Sequence, residues 1–229
     1  VHVPHGDVET ARRVARQTRD AGLLTPSYGA YYRAAESESE GMEFVSVLDS
    51  AEALGAHTVR VWAGKRPSAD AGAEYRQEVV DDLRRVADMA AAAGMVVATG
   101  YHAKTLTDTV QSAAQLLAET DHPALLTYWQ PPVELAHSEC LESLDSVLPK
   151  LANLHVFYWI QADGTVDRRP LAEGADVWSE YLKAVEAGTD WDHHALIEFV
   201  RGESLEQLHA DAAELCRWTA ALAQDSERA

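Results

Sequence analysis

The feature that most limits what this chain can fold into is a regular alternation of short, apolar, β-rich runs with longer amphipathic ones. The short runs cover 23–28, 58–63, 95–99, 124–129, 154–159 and 195–200, and their starts lie 35, 37, 29, 30 and 41 residues apart. After each comes a stretch with apolar residues at helical spacing, as in Val79, Leu83, Val86, Ala87 and Ala90. Local punctuation agrees. Gly22, Gly55 and Gly94 sit just past helical runs, where a left-handed residue is wanted. The segments 105–108 and 204–207 read as capping boxes that satisfy the orphan N–H groups of a helix start. Repetition of this kind, without hairpin signals, means parallel strands joined by helical crossovers, so the class is α/β.

Six strands are counted, preceded by a helix over about residues 8–21 that has no strand of its own. A closed (β/α)8 TIM barrel needs eight strands. Two readings compete: a barrel whose first two strands lie upstream of Val1, or an open doubly wound sheet. The open sheet usually carries a Gly-rich phosphate loop after its first strand. Here Pro26-Ser-Tyr-Gly-Ala-Tyr31 follows instead, with no GxGxxG or GxxxxGK[ST] anywhere, and the barrel is favoured. The expectation is one barrel domain over residues 1–229, N-terminally incomplete. Were Val1 the true start of the folded species, two sheet edges would lie unpaired, and the chain would be expected to form a homodimer, swap elements or aggregate.

Composition removes several function classes. With 19 Lys+Arg against 37 Asp+Glu the formal charge is −18, the opposite of the basic footprint that a phosphate backbone or an anionic membrane requires. Neither nucleic acid nor membrane is expected as a partner. Cys140 and Cys216 are too few and too far apart for a disulfide framework. No apolar run approaches the length of a membrane helix, and no secretory signal is visible. A cytoplasmic location is expected.

In a βα barrel the chemistry sits at the C-terminal ends of the strands. Those ends carry Arg60, Trp62 and Lys65, then Tyr101 and His102, then Trp129 and Gln130, then His155 with Tyr158, and finally Glu198 followed by Arg201. A carboxylate inside an apolar strand is costly unless paired or bound to a metal, which singles out Glu198. Its structural alternative is a buried ion pair with Arg60 or Arg201. His155 gains interest from sharing a sheet end with Glu198 and Gln130. His102 serves equally as a hydrogen-bonded loop residue or a substrate contact. The Trp residues suit either the core or the face of a sugar ring. His57, His122, His193 and His194 fall at the opposite ends of the strands and read as solvated loop residues. The acidic stretch 36–43 reads as a mobile charged loop, a candidate lid.

The segments 53–64, 101–109, 122–132, 153–159 and 196–200 resemble the xylose isomerase-like TIM barrels of the sugar phosphate isomerase/epimerase family. That resemblance implies a divalent ion (Mn, Mg, Co or Zn) held by a Glu, an Asp, a His and a second Glu on successive strands. The second Glu falls on Glu198, the His on His155 and the Asp on Gln130. The first Glu, of a Glu-x-His, falls on Gly100 ahead of His102. The metal set becomes Gln130, His155 and Glu198, carrying a charge of −1 where the family brings −3, so hard cations should bind more weakly. The resemblance implies Glu198 as catalytic base with His102 assisting. It implies Arg60, Lys65, Tyr101, Trp129 and Arg201 as contacts to a sugar, sugar phosphate or polyol. A two-base epimerisation lacks one base at Gly100; a one-base isomerisation or a lyase-type elimination survives the loss. The competing expectation is a barrel that binds a sugar or a partner without catalysis. The DNA-repair branch of the superfamily is disfavoured by the acidic charge.

Overall fold

The computed structural model describes residues 3–162 and 164–226. The chain forms two compact units, one up to Tyr128 and one from Trp129 onward.

In the first unit, helix α1 (Val8–Asp20) starts at Asp7, whose side chain accepts from the Thr10 amide at 3.0 Å. Strand β1 (Ser27–Arg33), helix α2 (Phe44–Leu54), β2 (Thr58–Trp62), α3 (Ala73–Ala92), β3 (Val96–Thr99), α4 (Val110–Thr120) and β4 (Leu125–Trp129) follow. β1 pairs parallel with β2, β2 with β3, and β3 with β4, in registers that set Tyr28 beside Val59, Val59 beside Val97 and Val97 beside Leu125. Each strand follows the last after one helix, as the sequence period requires. Val59, Val61, Val97 and Leu125 of the strands are buried, as are Phe44 and Val47 of α2, Leu83 and Val86 of α3, and Leu116 of α4.

Three expectations are corrected in this unit. The first strand begins at Ser27, not Leu23. Leu23 and Leu24 are 62% and 80% exposed, whereas Tyr28, Ala30 and Tyr32 alternate inward, so period-two patterning prevails over local apolarity. The segment 105–108 is a turn, and α4 starts two residues later. Thr109 accepts from the Ser112 amide at 3.1 Å, while Asp108 takes the Ser68 amide at 2.9 Å. The acidic stretch is pinned rather than free. Lys65 bonds Glu36 at 2.9 Å and Glu40 at 2.7 Å, Arg85 bonds Glu38 at 2.9 Å, and Tyr75 donates to Glu36 at 3.1 Å.

The second unit contains α5 (His137–Asp145), β5 (Leu151–Val156), β6 (Tyr158–Ala162), β7 (Thr165–Arg169), α6 (Ala175–Gly188), β8 (His194–Ile197) and α7 (Leu205–Ser226). β5 is buried along all six residues, as expected of a parallel strand covered on both faces. It pairs parallel with β8, with His155 opposite Leu196 and Val156 opposite Ile197. Ser204 caps α7 through the Gln207 amide at 3.3 Å, as the sequence indicates. The single apolar run 154–159 divides between β5 and an antiparallel hairpin, β6–β7, that the period reading does not contain. Its signal is present in the sequence all the same: an Asp-Gly pair, the dipeptide most favoured in two-residue hairpin loops, stands at positions 163–164. His193 is bonded to the Ala152 carbonyl and to Thr189, both at 2.9 Å, so it ties the start of β8 to β5 rather than standing in solvent. Among the described residues no helix is long and apolar enough to cross a membrane.

Candidate active site

Three side chains converge at the C-terminal end of the β5–β8 pair. The ladder continues one residue past β8, since the Glu198 amide donates to the Val156 carbonyl at 3.0 Å. That bond fixes Glu198 beside the end of β5. His155 Nδ1 lies 3.1 Å from Gln130 Oε1 and 3.4 Å from Glu198 Oε2. Both facing atoms are acceptors, so Nδ1 carries the proton and donates. The His155 side chain is only 5% exposed while that of Glu198 is 31% exposed, which gives a buried imidazole behind a carboxylate that solutes reach. The chain turns sharply after the carboxylate. Phe199 adopts φ +52°, a left-handed conformation uncommon for a bulky residue. Its ring packs against Trp159 and Phe157 with centroids 4.6 and 5.3 Å apart, and these contacts hold the turn.

These donors are compatible with a divalent cation held loosely. Ligands about 2.1 Å from an ion and at right angles to one another stand roughly 3 Å apart, close to the separations here, and a cation at that point would have to take the place of the proton on His155 Nδ1. Their charge is low: one carboxylate, one imidazole and one amide oxygen. Among the described residues no group of three or more His, Cys, Asp or Glu is arranged to hold a metal. An ion at these donors would keep several waters, as Mg²⁺ commonly does.

The first unit builds a different constellation. Arg60, Trp62, Gly100, Tyr101, His102 and Thr105 line one small hollow at the ends of β2 and β3. The His102 and Trp62 rings stand 4.0 Å apart, and the Arg33 guanidinium lies 4.8 Å above the Trp62 ring. His102 is pushed below its ordinary pKa, first by burial and then by the charges of Arg33, Lys104 and Arg60. Its Nδ1 accepts from the Lys104 amide at 3.3 Å, so in the neutral ring Nε2 carries the proton. In this arrangement His102 offers a hydrogen-bond donor and has no free lone pair with which to act as a base. Because the unfolded imidazole takes a proton first, this residue subtracts stability as pH falls through about 6.5 and adds none above it. Urea melts between pH 7 and 5 should therefore show a shallower fall for His102→Gln than for the parent chain.

Tyr101 is pushed up to about 12 by burial, and its hydroxyl has no partner among the described residues. The remaining residues singled out from sequence are engaged elsewhere. Lys65 is held by Glu36 and Glu40. Arg201 is exposed and reaches Gln207 at 3.3 Å. Trp129 is fully buried and donates from Nε1 to Ser143 at 3.0 Å, so it belongs to the core. Nothing in the backbone demands glycine at 100: its φ is not positive, and an added Cβ meets only Tyr128 Cβ, at 3.8 Å. Gly100→Ala should accordingly raise stability by roughly 0.4–1 kcal/mol in a denaturant melt, because it restricts the unfolded chain without crowding the folded one.

Sequence reasoning passed over two further groups. Asp211 is buried and accepts the Leu171 amide and the Gln207 side chain, both at 2.8 Å. The set Glu180, His137 and Tyr181 is joined by hydrogen bonds across more than 40 residues of chain, which no local spacing announces.

With this geometry in hand, comparison with known proteins is decisive for the family. The chain matches the xylose isomerase-like TIM barrel model over residues 2–222, and it belongs to that family. It is 30% identical over 176 residues to a 3-dehydroshikimate dehydratase of Bacillus anthracis, an alignment spanning 67% of this chain and 59% of the relative's length. The crystal structure of the probable 3-DHS dehydratase of petrobactin synthesis from the same organism superposes with a TM-score of 0.69 at 24% identity, over 90% of this chain and 80% of that one. A xylose isomerase-like TIM barrel protein from Mycobacterium smegmatis, solved in complex with magnesium, gives 0.59 at 16% identity, over 95% and 92%.

Proposed function

We propose that this chain performs one-base carbon-acid chemistry on a polyhydroxylated ketone, ending in loss of water. The observation that carries the reading is the placing of Glu198 Oε2 3.4 Å from a buried imidazole, His155, that Gln130 holds from the other side. The Glu198 carboxylate takes a proton from the carbon next to the carbonyl, and that electron pair becomes the new carbon–carbon double bond of an enolate. As the carbonyl re-forms, the hydroxyl on the next carbon leaves with its bonding pair. The proton held on Glu198 passes to that hydroxide, which departs as water. His155 keeps the carboxylate oriented through Nδ1–H, and Gln130 keeps the imidazole oriented through Oε1.

Inversion at one carbon would need a second acid on the opposite face. Glycine at 100 removes the residue that supplies it in the family pattern, so elimination fits better than epimerisation. The likeness to a 3-dehydroshikimate dehydratase supports the same choice. A divalent cation that displaced the Nδ1 proton and was held by Gln130, His155 and Glu198 would take over that orienting role and would add Lewis-acid polarisation of the carbonyl.

The test is incubation in D2O with cyclic and open-chain keto acids, 3-dehydroshikimate first, with Mg²⁺, with Mn²⁺ and with chelator. Deuterium entering next to the carbonyl together with a new conjugated absorbance is the expected result. Saturable binding with neither signal would instead establish the non-catalytic reading that Gly100 and Gln130 motivate. The weak donor set makes its own prediction. Gln130→Asp restores one charge and should tighten Mn²⁺ by about tenfold or more in calorimetry, and an unchanged affinity would remove Gln130 from the ligand set.

A further inference from the structure

The second unit holds a cavity of about 200 Å³ whose flat walls include Pro132, Phe157, Tyr158 and Trp178. A cavity of roughly 150 Å³ with apolar lining already accepts benzene. This one also has polar groups, and their proton assignments follow from chemistry. The Glu180 carboxylate only accepts, so His137 Nε2 carries the proton it donates across 2.9 Å. In the neutral ring Nδ1 is then a lone pair, and Tyr181 donates its hydroxyl proton to it, also at 2.9 Å. With that proton committed, the Tyr181 oxygen retains lone pairs for another donor. Burial holds the Tyr181 hydroxyl well above its ordinary pKa and raises that of the Cys140 thiol, so both stay protonated. The thiol has the carbonyls of Pro132 and Leu135 within reach and also lies against the Tyr181 hydroxyl, whose oxygen has a second lone pair for an incoming donor. Trp159 also lines the cavity, and its buried Nε1–H has no acceptor among the described residues. Native proteins rarely leave such a donor unpaired.

We propose that this cavity is a binding site for a small phenolic ring, which lies between the aromatic walls, donates its hydroxyl to the Tyr181 oxygen and accepts from Trp159 Nε1–H. Glu180 and His137 act as positioning residues that keep Tyr181 turned toward an incoming donor. The site asks for three properties at once: planarity, a donor and an acceptor. It owes nothing to Glu198, so the claim stands apart from the carbon-acid reading.

Phenol, toluene and cyclohexanol separate these properties. Titrations of the intact chain in chelator, followed by calorimetry and ligand-observed NMR, should show one saturable phenol site per chain. Phenol should bind at least about tenfold more tightly than toluene, which lacks the oxygen, or cyclohexanol, which is not planar. Tyr181→Phe should remove that advantage while leaving toluene binding unchanged, and Trp159→Phe should weaken phenol likewise. Glu198→Gln should leave phenol affinity untouched even where it stops exchange. Melting curves accompany each variant, and Trp159→Phe carries the test if Tyr181→Phe does not fold. Absence of a saturable phenol site, phenol affinity indifferent to the variants that fold, or its loss in Glu198→Gln would each overturn the proposal.

Discussion

Replacing Glu198 by Gln should lower solvent deuterium exchange into a keto substrate, and its turnover, by between about 10² and 10⁴-fold, the usual contribution of a positioned general base. The substitution is conservative in shape. A Gln oxygen still accepts from His155 Nδ1, the backbone bond from residue 198 to Val156 is unaffected, and the side chain is partly exposed already. Melting temperature should therefore hold while chemistry is lost. Exchange surviving in Glu198→Gln at the parent rate would defeat the proposed function, because the second unit would then contain a carboxylate–imidazole pair with no catalytic use.

The largest effect on stability is expected at Trp129. Its side chain is fully buried, packs edge-on against Tyr181 and Trp178 with ring centroids 5.0 and 6.3 Å away, and donates to Ser143. Trp129→Ala should cost about 3–5 kcal/mol in a urea melt, as large-to-small changes at buried aromatics do. Trp129→Phe should cost much less, since the ring remains and Ser143 keeps its own bond to the Cys140 carbonyl at 2.7 Å. The pair of variants distinguishes a core residue from the sugar platform that sequence alone allowed. Normal stability in Trp129→Ala with substrate binding lost would restore the platform.

The contrast between Trp129 and His155 shows how much of this molecule is written locally. Both lie within an apolar run, and nothing in the neighbouring residues says which points into a core and which toward a site. The side-chain period of a strand is two, so one residue of displacement exchanges the faces. That is also why the first strand is misplaced when Leu23 and Leu24 are read as its start, while the inward alternation of Tyr28, Ala30 and Tyr32 marks the true one. Capping at Ser204 and the left-handed glycines at 22, 55 and 94 are legible because they depend on a few adjacent residues. The pinning of the acidic stretch is not, because its cations, Lys65 and Arg85, come from elsewhere in the chain.

Periodicity and punctuation in the amino-acid sequence therefore determine the order of the parallel strands and their helices, the β6–β7 hairpin excepted, and the strand ends on which polar residues collect, since each is a matter of short-range sterics and amphipathic patterning. Only the tertiary structure decides that His155 meets Gln130 and Glu198, that Trp129 is core, and that His137, Glu180 and Tyr181 share one chain of hydrogen bonds. Those outcomes rest on register and rotamer, where a shift of about 3 Å between strand neighbours is enough to make or break a contact.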